Sequence, residues 1–337
     1  MGEHKPNTPR QVHRRTWRYV LRRTVTEFIR NDCANLAAAL TYYSVLSIFP
    51  ALLAVVSLLG MFGNADAAID AVLDALRAHG STSAVQAIES PLRQLAAAPG
   101  AGFSFAGGLA GALWTTSRYT AGFGKALNRI YQTEEGRPFW KLRPVMLLIT
   151  VIMLITASVM VALLVVSGPV VAVVGEAIGL KDATVVAFSI LKWPLLVLLA
   201  VLLIALLYYA TPNVKQPRFR WMSFGSLIAL TVLVISSGGF FFYVANFSNY
   251  NTVYGSIGGV IVLLLWLYIV NLVLLFGGQF DAEFQRGRQL QAGIVAESLI
   301  QVDVRDTRQI IRRHDQQLRD VALGRELRQT GSRDSRE

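Results

Sequence analysis

Charged side chains are scarce in this chain of 337 residues, of which 16% are Asp, Glu, Lys or Arg. An average soluble domain carries about 25% charged residues, so much of this surface must face something other than water. Cysteine is nearly absent, because Cys33 is the single one, and this excludes internal disulfides and cysteine-based metal clusters. Of the four histidines, His4 and His13 lie in the N-terminal segment, His79 in segment 64–100 and His314 in the tail.

Catalytic motifs are lacking as well. The chain contains no His-x-Glu, Walker, Gly-x-Ser-x-Gly or Cys-x-x-Cys pattern. Hydrolytic enzymes need clustered His, Cys, Asp or Glu side chains that hold a metal or transfer protons. We therefore predict no catalytic residue, no metal ligand, no cofactor and no enzymatic activity.

Long uncharged intervals, by contrast, are abundant, at residues 33–65, 94–117, 144–175, 193–214 and 221–280. The hydrocarbon core of a bilayer needs about 20 apolar residues in helical form. The last interval is too long for one span, and its polar stretch 246–252 divides it into two. The sequence predicts an all-α, polytopic membrane helix bundle with six spans, near 34–62, 102–121, 145–168, 187–210, 222–245 and 256–280.

The positive charges predict the orientation of the bundle, because loops rich in Lys and Arg stay in the cytoplasm. Of the 32 Lys and Arg residues, 8 lie in 1–33, 6 in 118–143, 3 in 211–221 and 11 in the tail from 281. Both termini are therefore predicted to be cytoplasmic. The domains are a basic N-terminal segment (1–33), the membrane domain (34–280) and a cytoplasmic tail (281–337).

Three peripheral segments have helical periodicity. The external segment 64–100 predicts two short amphipathic helices around a turn at 80–83. The N-terminal helix has arginines beside an apolar face of Trp17, Val20, Leu21, Val25 and Phe28. Either this helix lies in an anionic headgroup layer, or its arginines only set the topology. The tail predicts a charged cytosolic helix with a disordered end at 329–337, and its near-balanced charge argues against a nucleic-acid partner.

Polar residues inside the spans are costly in hydrocarbon, so they mark candidate sites. They lie on the first span and on the sixth, at Asp32, Asn35, Tyr42, Tyr43, Ser47, Tyr268, Asn271 and Gln279. The two stripes either enclose a polar groove or only form interhelical hydrogen bonds. Pro50 is expected to bend the first span. Two pairs of small residues, Gly107 with Gly111 and Gly255 with Gly259, are expected to allow close helix packing.

Several strings between residues 17 and 285 resemble the YihY/BrkB family, once mislabelled ribonuclease BN. They are found, in order, at 37–44, 47–50, 113–118, 126–128, 137–140, 212–213, 254–256, 265–268, 276–277 and 280–283. The resemblance implies a bacterial inner-membrane protein, and some members of the family are suspected of moving lipid or lipid-linked molecules. Within these strings, Arg118, Asn128 and Tyr254 join the candidate groove, with a gate near Tyr254.

Two functions from different classes remain open. The first is a transporter-like protein that moves lipid, with anionic lipid at its cytoplasmic face. The second is a non-transporting scaffold that recruits envelope proteins through segment 64–100 or the tail. A ribonuclease is disfavoured, because no acidic cluster can be named for it. Substrate, energy source and oligomeric state do not follow from the sequence.

Overall fold

The computed structural model describes residues 12–60, 69–70, 73, 89, 93, 103–165, 181–215, 224–247 and 257–334. Helices dominate these residues, in the order α1 (Arg14–Arg30), α2 (Cys33–Gly60), α3 (Phe103–Ile130), α4 (Phe139–Val165), α5 (Lys181–Ala210), α6 (Phe224–Phe247), α7 (Ile257–Gln291) and α8 (Arg308–Asp334). Within those ranges the one β contact is an isolated antiparallel bridge between Val214 and Val304. The predicted all-helical architecture is confirmed.

Each of the six predicted spans corresponds to one long helix, from α2 to α7. Among the described residues, three stretches are long and apolar enough to cross a membrane, at Phe139–Leu164, Ile190–Ala210 and Gly259–Gln291. Shorter apolar stretches lie at Cys33–Ile48 and Gly225–Phe240. A helical membrane bundle agrees with these lengths, and the number of six spans stays a prediction.

The outer faces of α4, α5 and α6 are apolar. Leu148 of α4 is 60% exposed, Val197 of α5 is 54% exposed and Ile235 of α6 is 68% exposed. A soluble monomer rarely presents such extended apolar surface to water. The arrangement is that of a bundle whose outer surface is dissolved in lipid.

Three helix ends differ from the sequence prediction. Helix α3 continues to Ile130, nine residues past the predicted end of the second span at 121. Helix α7 continues to Gln291, eleven residues past the predicted end of the sixth span at 280. Helix α8 reaches Asp334, so the predicted disordered end is helical as far as that residue. The physical reason is shared: Arg, Glu, Gln and Lys end an apolar run, but they are good helix formers.

Helix α7 is the central element, and α1, α2, α3 and α6 pack against it. Helix α1 runs antiparallel to the end of α7, as the paired residues show: Thr16 with Gln291, Val20 with Gly287, Arg23 with Glu283, and Phe28 with Phe276. The predicted apolar face of α1 is therefore divided. Trp17, Val20 and Phe28 pack on α7, while Leu21 and Val25 remain more than half exposed.

The basic segments meet at one end of the bundle. Residues 131–138 after α3, 211–215 after α5 and 303–306 before α8 are joined by hydrogen bonds, and α1 packs on the end of α7 at 276–291. The chain therefore returns to this end after each pair of helices. That is the geometry which the distribution of positive charge predicts, whichever side of the membrane this end faces.

The predicted hinge and packing positions have different outcomes. Helix α2 continues through position 50, and Gly107 lies on α3. A Cβ added at Gly111 would meet nothing within 4 Å, so the close approach expected there does not occur. Close approaches lie elsewhere, because a Cβ at Gly124 would meet the carbonyl oxygen of Thr211 at 2.9 Å and one at Gly277 would meet the Ala229 Cβ at 2.6 Å. Tyr254 and Gly255 fall outside the described residues, and Gly259 lies near the start of α7.

The structure describes five residues of the external segment 64–100, at positions 69, 70, 73, 89 and 93. Ile69 and Leu73 are fully buried there. Arg93 lies 2.6 Å from an Asp70 carboxylate oxygen and 3.1 Å from one of Glu89. An ion pair therefore links the two halves of the segment, whose two predicted helices otherwise lie outside the described residues.

Candidate functional site

The polar faces of the first and sixth spans meet in the bundle interior around Asn271, which is 1% exposed. Its Oδ1 accepts a hydrogen bond from Tyr119 Oη at 2.9 Å. Its Nδ2 donates to Thr41 Oγ1 at 3.3 Å and to Ser44 Oγ at 3.4 Å. This side chain therefore ties α7 to α2 and α3. The geometry matches the alternative of interhelical hydrogen bonds, with Thr41 and Ser44 as partners that the sequence analysis did not name.

Gln279, Ser47 and Tyr268 are likewise engaged inside the protein. Gln279 is fully buried, and its Oε1 accepts from Asn31 Nδ2 at 2.9 Å. Ser47 donates to the Tyr43 carbonyl oxygen of its own helix at 2.7 Å. Tyr268 packs against the main apolar core. Among the described residues, these three side chains are accounted for by hydrogen bonds and packing within the bundle.

Asp32, Asn35 and Tyr42 point the other way, to the outer surface of α2. The Asp32 carboxylate accepts from Asn35 Nδ2 at 2.9 and 3.0 Å, and both residues are exposed. Tyr42 is 61% exposed. The expectation that this stripe faces α7 is wrong, because Ala37, Leu40 and Thr41 occupy the buried face of α2 instead.

A row of cations runs beside this outer surface on α3. Gly122 marks the contact between the two helices, since a Cβ there would meet the Tyr43 ring at 3.1 Å. Three cations share the helix face of Gly122, because they are separated from it by helical spacings of three, four or seven residues. They are Arg118, Lys125 and Arg129. All three are exposed. They form a cationic row along the line where α2 and α3 meet, and we call it the α2–α3 seam.

The seam continues to the end of the bundle where α1 joins α2. Asp32 and Arg129 both lie near the Cys33 thiol, on which they act electrostatically. Asp32 adopts a left-handed conformation with φ of 58° at the junction between α1 and α2. The seam thus begins at a sharp turn and extends about 16 Å along α3 from Arg129 to Arg118, at 1.5 Å per residue.

Asn128, assigned to the groove, instead belongs to a buried network at the same end of the bundle. It is 4% exposed, its Oδ1 accepts from Asn213 N at 2.7 Å, and its Nδ2 donates to Glu135 at 3.1 Å. Glu135 also accepts two hydrogen bonds of 2.7 Å from Arg137. Arg137 Nη2 donates to the Thr211 carbonyl oxygen at 2.6 Å. The loop after α3 is therefore fixed to the loop after α5.

Asn213 extends this network to the chain before α8. Its Nδ2 donates to the carbonyl oxygens of Glu134 at 3.0 Å and Asp306 at 2.9 Å, and its Oδ1 accepts from Asp306 N at 3.1 Å. Arg305 Nε donates to the Val214 carbonyl oxygen at 2.9 Å. Burial lowers the pKa of Arg305. The backbone N–H of Arg308 lowers the pKa of Asp306.

A second buried network was not predicted, and it lies where α7 extends beyond the apolar run. Glu283 and Arg286 are both fully buried, with Arg286 Nε 3.0 Å from a Glu283 carboxylate oxygen. Arg286 also donates to the Ala296 carbonyl oxygen at 2.8 Å and to Gln132 Oε1 at 3.1 Å. The sequence signal was Phe280 and Phe284, which continue the apolar face of α7 past its first charged residue. Among the described residues, no group of three or more His, Cys, Asp and Glu could hold a metal ion.

Comparison with known proteins identifies the family of this chain. The family model described as virulence factor BrkB matches residues 24–298, which is more than half of the chain. The chain belongs to the BrkB family. The match extends from the middle of α1 past α7, so it includes the seam and the Glu283–Arg286 network, but it ends before Arg305, Asp306 and α8.

Relatives of this BrkB-family protein differ in how much of their length is matched. YfkH of Bacillus subtilis, whose name describes it as ribonuclease-like, is 28% identical over 80% of this chain and 96% of its own length. A UPF0761 membrane protein of Rhodospirillum centenum is 30% identical over 81% of this chain, which spans only 60% of that relative. A UPF0761 membrane protein of Tolumonas auensis is 35% identical over 26% of this chain and 30% of its own length. No solved structure matches the chain.

Proposed function

We propose that this BrkB-family membrane protein is a non-enzymatic transporter that moves a lipid or lipid-linked molecule along the α2–α3 seam. The observation that carries the proposal is the cationic row of Arg118, Lys125 and Arg129, exposed on a helix of a bundle in which α4, α5 and α6 present apolar outer faces. The interior polar residues support an outer route, because Asn271 and Gln279 are engaged in hydrogen bonds.

The chemistry of the seam suits a phosphate-bearing headgroup. A cation at the centre of a membrane helix costs about 2.5–3.5 kcal/mol on insertion scales, and pairing with a phosphate offsets that cost. Guanidinium groups bind phosphate oxygens with two parallel hydrogen bonds. A headgroup could pass from Arg129 to Lys125 to Arg118 while its acyl chains stay in lipid.

Reconstitution tests this proposal. Liposomes containing the purified protein and a fluorescent phospholipid should exchange lipid between leaflets faster than empty vesicles. The double variant Arg118→Gln with Lys125→Gln should lower that rate about tenfold, the effect of losing roughly 1.4 kcal/mol of headgroup binding along the path. Arg312→Gln with Arg313→Gln on the exposed helix α8 removes the same charge elsewhere and should leave the rate unchanged. Exchange no faster than in empty vesicles would overturn the proposal.

We further propose that the protein resides in the bacterial inner membrane with both termini in the cytoplasm. The support is that the basic segments share one end of the bundle, together with the preference of such segments for the cytoplasm. Reporter fusions after residue 337 should be active only with a cytoplasmic reporter. A fusion active only with a periplasmic reporter would reverse the orientation and the proposed direction of headgroup entry.

A scaffold for envelope proteins is the second candidate, and one observation favours it. Helix α8 presents Ile311, Leu318 and Val321 to solvent, each at least 45% exposed. In-cell crosslinking separates the two functions. Deletion of 308–337 should abolish captured partners without changing lipid exchange if α8 is a docking helix.

An RNA-cleavage assay on the purified protein, with and without divalent metal, should show no activity, and metal-dependent cleavage would contradict the non-enzymatic proposal.

A further inference from the structure

An open surface cavity of about 310 Å³ lies along α1. Its size falls within the range of about 300–1,000 Å³ that is usual for small-molecule sites. Six side chains of α1 line it, and they are Tyr19, Arg22, Arg23, Thr26, Glu27 and Arg30. Three guanidinium groups against one carboxylate make the cavity cationic, so a phosphate is the favoured ligand group.

Glu27 adds one negative charge to this cationic cavity. The residue is 2% exposed, and its Oε1 is paired with Arg23 Nη2 at 3.1 Å and Arg30 Nη1 at 3.3 Å. Its other carboxylate oxygen, Oε2, is buried without a hydrogen-bond partner among the described residues. A buried acceptor of this kind is costly unless a donor reaches it. A donor that reached this carboxylate from the cavity would satisfy it, so a ligand with an N–H group as well as a phosphate fits the site.

The surroundings of the cavity favour a lipid over a soluble ligand. Val25 and Ile29 lie on the adjoining face of α1 and are 52% and 73% exposed. The cavity also ends one residue before Asn31, at the junction where α2 enters the apolar part of the bundle. Acyl chains could follow this apolar stripe while the headgroup occupies the cavity.

We propose that this cavity binds a phospholipid whose headgroup carries both a phosphate and a primary ammonium group, as in phosphatidylethanolamine. Arg22 and Arg30 hold the phosphate, and the ammonium group pairs with the Glu27 carboxylate. The site shares no residue with the α2–α3 seam, so it does not depend on the proposed lipid movement.

Native mass spectrometry of the full-length protein tests the binding. Phosphatidylethanolamine and phosphatidylcholine of identical acyl chains differ in three N-methyl groups, which remove every N–H donor. We expect the ethanolamine lipid to bind about tenfold more tightly, the contribution of one charge-assisted hydrogen bond. Equal affinities for the two lipids would overturn the proposal.

Matched variants test the residues. Arg22→Gln with Arg30→Gln should weaken both lipids, whereas Arg15→Gln with Arg18→Gln, on the same helix outside the cavity, should weaken neither. Glu27→Gln should remove the preference for ethanolamine. Because Glu27 is buried, its variant requires an unchanged melting temperature, and the exposed Arg22 supplies an independent result if that control fails. Equal losses in the two arginine pairs would reduce the effect to general charge and refute the site.

A third arm identifies the source of the ligand. Soluble phosphoethanolamine has the same phosphate and ammonium groups without acyl chains, and it should compete only at far higher concentrations than the lipid. Competition at equal concentrations would show that the site takes a soluble ligand and would contradict the lipid assignment. Lipid exchange in liposomes is a separate readout, so failure of this binding site and failure of the seam are distinguishable.

Discussion

Asn213 offers the sharpest test of how the end of the bundle is held together. The substitution Asn213→Ala removes three side-chain hydrogen bonds, two to the carbonyl oxygens of Glu134 and Asp306 and one from Asp306 N. Each such bond contributes about 0.5–1.5 kcal/mol net, and Asn213 is fully buried. We expect the free energy of unfolding to fall by about 2–4 kcal/mol.

The assay is denaturant unfolding of the purified protein in detergent, followed by limited trypsin digestion. Loss of these bonds should loosen the chain before α8, so cleavage after Arg305 should become faster than in the unaltered protein. Asn35→Ala is the matched control, since the Asn35 amide is exposed and donates only to Asp32. Its effect should stay within about 0.5 kcal/mol. Equal destabilisation by the two variants, or unchanged cleavage after Arg305, would refute the reasoning.

Three further predictions concern packing and buried charge. Gly136→Ala should destabilise the protein by about 2 kcal/mol or more, because the new Cβ would clash with the Asp306 carbonyl oxygen. Gly111→Ala, where a Cβ meets nothing within 4 Å, should be neutral or stabilising. Melting temperatures of the two variants measure the difference. Arg286→Gln should destabilise by up to about 3–5 kcal/mol, because the buried Glu283 would be left with the more distant Arg23, at 3.4 Å. A variant as stable as the parent protein would contradict that pairing. Gly277→Ala should destabilise the protein by about 1–3 kcal/mol, and Gly239→Ala should not. Denaturant midpoints measure both variants. Equal midpoints would contradict the close packing of α6 against α7 at Gly277.

Much of the architecture could be predicted because the bilayer imposes a simple rule on the sequence. Charge-free intervals located all six long helices, and the distribution of Lys and Arg anticipated that the basic segments share one end. The ends of α3 and α7 could not be located by the same rule. Arg118, Lys125 and Glu283 end the apolar run, yet they keep the helix, since hydropathy and helix propensity are different properties of a residue.

The candidate site was harder to predict, because helical periodicity identifies faces but not what each face meets. Asn271 and Gln279 were singled out as polar residues within the spans, but their partners Thr41 and Asn31 could not be named without knowing how the helices pack. The outward direction of Tyr42 depends on which side of α2 receives α3 and α7. Arg286 was overlooked because a lone arginine after an apolar helix normally lies in water, and only the chain at 294–300 folding back over it makes it buried.

The packing of α1 against α7 has a consequence for biosynthesis. Thr16 and Gln291 are 275 positions apart, so α1 must wait until the end of α7 has been synthesised. At a synthesis rate of about 5–20 residues per second, the delay is roughly 15–55 seconds. During that interval the Trp17 face of α1 has no partner in the nascent chain. Membrane insertion of this protein should therefore depend on a chaperone or on the lipid surface to shield that helix until translation is almost complete.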